Sequence, residues 1–245
     1  MRATILALTL AATPAFGFDM PEDEDAAQFV TSNVVSTFYH ELGHALIDVL
    51  ELPVLGKEED AADALSAVLT HYIWDEESAT RITYDTALAY ALYASDLEDW
   101  DGAFSDTHSL DQQRYYTLVC LFYGADPEAR QEVAADLELP AARAEGCAEE
   151  FVQADESWSA LLDGLEPGPD TYGLTLVNTD EDDPVAQILI EEIDSLNETY
   201  GLPQEVTVSV EPCGEANAFY IPDDDHIIMC SEYAEDMARI WVEAE

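Results

Sequence analysis

The feature that most constrains the fold of this chain is a pair of histidines four residues apart, in His40-Glu41-Leu42-Gly43-His44. The apolar residues around this pair recur at three- and four-residue spacing and predict a helix that ends before Pro53: Val34, Val35, Phe38, Leu42, Leu46 and Val49. Because residues i and i+4 share one face of a helix, both imidazoles face the same point, with Glu41 beside them. The fold must therefore bring other elements to this face of the helix.

Two imidazoles at this spacing are typical of a catalytic zinc site, in which the intervening glutamate deprotonates a water. Such a site needs a third protein ligand, and the best candidate lies in Glu59-Asp60-Ala61-Ala62-Asp63. Glu59 and Asp63 share a helix face, so Asp63 would accept the outer N–H of a ligand histidine. Glu58 is a rival ligand, but Ala62, four residues on, offers no such hydrogen bond. We predict one Zn²⁺ per chain, bound by His40, His44 and Glu59.

The charge balance excludes several partners. The 245 residues carry 54 Asp and Glu against seven Lys and Arg, for a formal net charge of −47. Seven cations cannot form a basic surface, so neither nucleic acid nor an anionic membrane is an expected partner. The acidity itself favours a role in solubility or adaptation to salt, and the metal prediction therefore depends on the spacing of the ligands rather than on the excess of carboxylates.

The N-terminus and the cysteines indicate export. Arg2, a short apolar run and the small-residue pattern before Phe18 predict a signal peptide over residues 1–17, and no later apolar stretch is long enough to span a membrane. We expect a periplasmic or extracellular protein. Four cysteines allow three pairings; we favour Cys120–Cys147 and Cys213–Cys230, because each pair flanks one compact unit.

The predicted elements form an α+β protein that is mainly helical. Helices are expected from Glu58, over 80–95 and 112–123, within 137–162, over 184–200 and over 231–243. A cluster of helix-breaking residues over 166–170 precedes the strand-forming segments. Strands are expected over 175–178, 206–210, 218–221 and 226–229, so the C-terminal segment supplies a small sheet.

Three longer strings carry a family resemblance. They span residues 39–46, residues 52–63, and residues 108–116 continuing to 120–124. These strings resemble the zincin metallopeptidases with a glutamate as third metal ligand, and in particular a bacterial family of metallopeptidases. The resemblance covers about residues 34–160 and 205–235. It implies hydrolysis of a peptide or protein substrate by a metal-activated water, with Glu41 as the general base.

The order of elements departs from the zincin pattern. Zincins place their sheet before the helix that carries the histidines, whereas here the strands follow it. We expect a circularly permuted, zincin-like domain over 18–245, with a helical part at 30–165 and a sheet-forming part at 170–245. A separate accessory domain after Pro169 would give the same sequence. In the permuted fold, the strand at 216–221 borders the metal, and Phe219 or Tyr220 lines the cleft or the core beneath it.

The resemblance also implies a catalytic role for His108, as a donor to the oxyanion of the tetrahedral intermediate. Tyr115 or Tyr116 would serve instead, and a surface or capping histidine is an equal alternative. Two other function classes stay open at this point. One is a non-catalytic binding protein stabilised by the same metal site, and the other is an interaction protein whose acidic surface is its function.

Overall fold

The computed structural model describes residues 18–97, 99–180 and 182–244, so the signal peptide predicted at 1–17 lies outside the described residues. The helices are α1 (Glu24–Val49), α2 (Glu58–Ile73), α3 (Glu76–Ser95), α4 (Trp100–Ser105), α5 (Asp111–Ala125), α6 (Gln131–Asp136), α7 (Ala141–Leu162), α8 (Pro184–Thr199) and α9 (Ser231–Ala244). The strands are β1 (Leu174–Leu176), β2 (Val206–Glu211), β3 (Ala218–Ile221) and β4 (His226–Cys230). The predicted class is confirmed: the protein is mainly helical with one small sheet.

Helix α1 is the central element of the core. It packs against α2, α3, α8, α9 and β3, and its side chains Phe29, Val30, Phe38 and Tyr39 are fully buried. The helix begins ten residues before the first position of the predicted apolar pattern. The Asp23 carboxylate accepts a hydrogen bond from the Ala26 amide and caps the helix at this earlier start.

Helices α1 and α2 approach each other unusually closely beside the histidine pair. A Cβ placed on Gly43 would lie 2.8 Å from Ala62 Cα, so only glycine fits at this contact. Farther along the helix pair, one turn from Ala62 and about two turns from Gly43, Ser66 Oγ donates to the Ser36 carbonyl at 2.8 Å and ties the two helices together. The small residues therefore bring the first turns of α2, with Glu59 and Asp63, next to the histidines.

The four strands form a mixed sheet in the order β1-β2-β4-β3. Strands β1, β2 and β4 run parallel, and β3 pairs with β4 in the antiparallel direction, so β3 is an edge strand. Tyr220 of β3 donates its hydroxyl to Asp48 of α1 at 2.9 Å. This contact, and the packing of β3 on α1, place the edge strand beside the helix that carries the histidines.

Both favoured cysteine pairs are confirmed as disulfides. Cys120–Cys147 joins α5 to α7 with a Cα separation of 5.0 Å, and Cys213–Cys230 holds the end of β4 with a separation of 5.4 Å. None of the helices in the described residues combines the length and apolar character that crossing a bilayer requires. Export and the single-domain organisation stay predictions.

Candidate metal centre

Three predicted ligand side chains meet at one point between α1 and α2. Glu59 Oε2 lies 3.2 Å from His40 Nε2 and 3.1 Å from His44 Nε2, and the two imidazole nitrogens are 3.2 Å apart. Donor atoms around one tetrahedral zinc ion lie roughly 3.3 Å apart, since each is about 2.0–2.1 Å from the metal. Two imidazoles and one carboxylate at this spacing fit a zinc ion with a position left open for water or substrate.

Asp63 holds the outer nitrogen of His40. The Asp63 Oδ1 atom lies 2.8 Å from His40 Nδ1, and both Asp63 oxygens accept from Arg114, at 2.8 Å from Nε and 2.7 Å from Nη2. Burial alone would raise the pKa of Asp63, but the Arg114 guanidinium outweighs it and holds this pKa well below its usual range. The ionised Asp63 therefore keeps a proton on Nδ1 of His40 and leaves Nε2 as the ligand atom.

Glu58 supports the other histidine rather than competing with Glu59. Its Oε1 atom lies 2.8 Å from His44 Nδ1, so the two neighbouring glutamates take opposite sides of the same imidazole. The spacing along α2 does not predict the contact between Glu58 and His44, because it relates Glu58 only to residues of its own helix. The contact is consistent with the position of both glutamates in the first turn of α2, close to α1.

Glu41 is buried beside the histidines and lines the cleft. Among the described residues, its carboxylate forms no hydrogen bond. Burial raises the pKa of Glu41, although the nearby His40 and His44 partly oppose this effect. A raised pKa brings the carboxylate closer to the range in which it can both accept and release a proton.

His108 lies at the mouth of the site. Its Nε2 atom is 2.9 Å from Glu59 Oε2, and its Nδ1 atom is 3.1 Å from Asp106 Oδ1. The hydrogen bond with Glu59 is the main reason that the pKa of His108 is raised. By contrast, Tyr115 donates its hydroxyl to the Leu137 carbonyl, and Tyr116 packs against the Tyr115 ring. Of the three predicted oxyanion donors, the structure brings only His108 to the cleft within the described residues.

The three ligand side chains open onto a cavity of about 540 Å³. Residues of α1 line one side of it, and residues 216–220, which lie in β3 and just before it, line another. Phe219 and Tyr220 both line this cavity, so the prediction that the C-terminal strand borders the histidine helix is confirmed. The site is therefore a cleft between a helix and a strand.

A model of the DUF4344 family, described as "Putative metallopeptidase", matches residues 10–162 and 183–245, which is most of the chain. The chain belongs to this family. The match includes all of α1 and α2 together with β3 and β4, and the family description implies peptide or protein substrates. Comparisons with curated proteins and with solved structures found no match.

Proposed function

We propose that the protein is an exported, zinc-dependent peptidase of the zincin type. The observation that carries this proposal is the convergence of His40, His44 and Glu59 on one point of the cleft, with buried Glu41 beside them. The family match supports a metallopeptidase, and the two disulfides support an oxidising compartment.

Zinc at this site would lower the pKa of a water and polarise the peptide carbonyl. Glu41 would take the proton from that water and pass it to the leaving amine. Its burial favours this transfer, because a carboxylate with a raised pKa holds the proton between the two steps. His108 would donate a hydrogen bond to the oxyanion from the mouth of the cleft.

The edge strand β3 supplies partners for an extended substrate. The Cys230 amide donates to the Asn217 carbonyl at 3.1 Å, so Asn217 directs its backbone towards β4. In an antiparallel pair the backbone groups alternate, which places the C=O of Ala218 and both the N–H and C=O of Tyr220 on the open edge, whereas the Ala218 N–H already donates to Asn217 Oδ1 at 2.9 Å. A peptide that adds to this edge as a further strand would lie across the histidines.

The experiment that tests this proposal compares the wild-type protein with the Glu41→Gln variant, both loaded with zinc. We expect one zinc per chain in each protein, and a loss of peptide hydrolysis of about 10²- to 10⁴-fold in the variant, since only the proton transfer is removed. Metal content and the cleavage of a peptide library are measured on the same samples. A wild-type protein that holds zinc but cleaves no peptide would support the metal-stabilised binding protein instead.

A further inference from the structure

One part of the cleft is lined by uncharged side chains, most of them polar or aromatic. We call it the Thr86 wall: Asn33 and Thr37 of α1, Thr86, Tyr90 and Tyr93 of α3, and Tyr233 of α9. We propose that the Thr86 wall selects peptides with a neutral, hydrogen-bonding side chain on the residue that follows the cleaved bond. This inference rests on the proposed peptidase function.

The position of the wall along α1 decides which substrate residue it contacts. Asn33, Thr37 and Glu41 follow each other at four-residue spacing, so they form one row on the helix, and all three line the cleft. The wall thus begins one helical turn from Glu41. Because Glu41 delivers its proton to the leaving amine, the residue that contributes this amine is the one nearest the wall.

The wall carries no net charge to balance an ionised side chain. Its members are amide, hydroxyl and phenol groups, and the nearest cation, Arg114, stacks over the Tyr90 ring at 4.6 Å. Both oxygens of Asp63 already neutralise Arg114. The carboxylate next to the wall, Asp236, is likewise already paired, with Tyr93 and Arg239. A charged substrate side chain of either sign would lose its water here without gaining a free counter-charge, and the wall therefore disfavours it.

Thr86 has an unused hydrogen-bonding group. Its Oγ1 atom is the one side-chain polar atom in the described ranges that is shielded from solvent and has no hydrogen-bond partner. Thr31, Thr70 and Thr83 are also helical, and each donates to the carbonyl four residues earlier at 2.8–2.9 Å. Thr86 makes no such bond, so its hydroxyl is available to a ligand by rotation about χ1, for which helical threonines have two favoured positions.

Two other members of the wall have a hydrogen-bonding group that is free to bind a substrate. Tyr233 Oη accepts from Thr37 Oγ1 at 2.7 Å, which leaves the phenolic O–H to donate. Asn33 uses its Nδ2 group to donate to the Phe29 carbonyl at 2.9 Å, which leaves Oδ1 to accept. A substrate amide or hydroxyl would pair with these groups, whereas an aliphatic side chain of the same size would leave them unpaired.

The test measures cleavage of a peptide library by the zinc-loaded wild type, with cleavage sites read by mass spectrometry. The library contains matched pairs at the position after the cleaved bond: Thr with Val, Asn with Leu, and Tyr with Phe. We expect the polar member of each pair to be preferred in kcat/KM. The Thr86→Val variant should reduce this preference about 10-fold, because one hydrogen bond is lost.

Thr83→Val is the matched control, since Thr83 is buried in the same helix but its hydroxyl bonds to the Ala79 carbonyl. Thr83→Val should leave the preference for polar side chains unchanged. Thr86→Ser, which keeps the hydroxyl, should also retain this preference. If Thr86→Val does not fold, Tyr233→Phe is the second test variant, and the preference for the polar member of each pair should fall by the same factor.

A wild-type preference for Val, Leu and Phe would overturn the inference while leaving the peptidase intact. Equal preferences in the wild type and the folded wall variant would do the same. Cleavage of no peptide by the zinc-loaded wild type would overturn the proposed function, and with it this inference.

Discussion

Arg114, which is partly buried, and Arg130, which is fully buried, each belong to a cluster with one carboxylate and one histidine, yet only one of these clusters belongs to the candidate metal centre. In the first, which we call the Arg114 cluster, the carboxylate lies in the middle. Arg114 donates two hydrogen bonds to Asp63, and Asp63 accepts the outer proton of His40. The Nε2 atom of His40 faces Glu59 and His44, so it can bind a metal once its proton is lost.

In the second, the Arg130 cluster, the arginine lies in the middle. Arg130 donates to both oxygens of Glu76, at 2.8 and 2.7 Å, and its Nη2 atom lies 3.1 Å from His71 Nδ1. The same guanidinium donates to the Phe122 carbonyl and lies over the Phe122 ring. This cluster joins α2, α3 and the end of α5, and it uses the lone pair of its histidine for that purpose.

The order of the three groups determines the protonation of each histidine. Burial alone would lower the pKa of His40, but its hydrogen bonds with Asp63 and Glu59 outweigh burial and raise the pKa to about 9 in the metal-free protein. For His71, burial and then the Arg130 charge both lower the pKa. An arginine, a carboxylate and a histidine thus form part of the candidate metal centre in one place and a structural contact in the other.

The largest difference between the two clusters is expected in zinc affinity, when the carboxylate charge of each cluster is removed. Asp63→Asn should weaken zinc binding by about 10- to 100-fold, because it alters the partner that orients a ligand histidine. Glu76→Gln is the matched change in the Arg130 cluster and should leave zinc affinity unaltered. Competition with a chelator measures both affinities. Equal zinc affinity in the two variants would show that Asp63 does not orient His40.

A smaller effect is expected from separating the helices that carry the Arg114 cluster. Gly43→Ala places a Cβ against the Ala62 backbone and should destabilise the protein by about 1–3 kcal/mol, with weaker zinc binding as α2 shifts. Gly56→Ala is the control, since a Cβ there meets no atom within 4 Å. Denaturant unfolding and zinc titration compare the two variants. Unchanged zinc affinity in a destabilised Gly43→Ala protein would show that the ligands tolerate the shift.

The smallest effect concerns pH, and the two histidines should act in opposite directions in chelator-treated protein. The pKa of His40 is raised on folding, so its contribution to stability is complete below the unfolded value of about 6.5 and is lost as pH rises through about 9. The pKa of His71 is lowered on folding, so its contribution is complete above about 6.5 and is lost as pH falls.

Thermal unfolding of the chelated wild type, His40→Asn and His71→Asn between pH 5 and 9.5 measures these contributions. The loss of stability above neutral pH should be reduced in His40→Asn, with a remainder from His44 and His108, whose pKa values are also raised. The loss below neutral pH should be reduced in His71→Asn. If both variants keep the wild-type pH profile, the order of groups within each cluster does not control the protonation of its histidine.

Patterns in the sequence predicted the helix that carries His40 and His44 and the strands at the C-terminal end, and they favoured the pairing of nearby cysteines. These features depend on local spacing: a helical repeat, short chain separations and alternation along a strand. The sequence did not reveal the start of α1, although Ala26, Phe29 and Val30 continue the apolar spacing there, or the short helix α4, which has no buried residue. It also did not assign Glu58 to His44, because that contact joins two helices.

The assembly of the site depends on packing between distant parts of the chain, which only the tertiary structure shows. The approach of Gly43 to Ala62 brings Glu59 and Asp63 to the histidines, and this distance depends on packing between helices rather than on the pattern within either one. The clusters around Arg114 and Arg130 each contain an arginine, a carboxylate and a histidine. The packing of α2, α3 and α5 sets which of these three groups lies in the middle. Local spacing selects which side chains share a face, whereas long-range packing selects the partners that give each of them its chemistry.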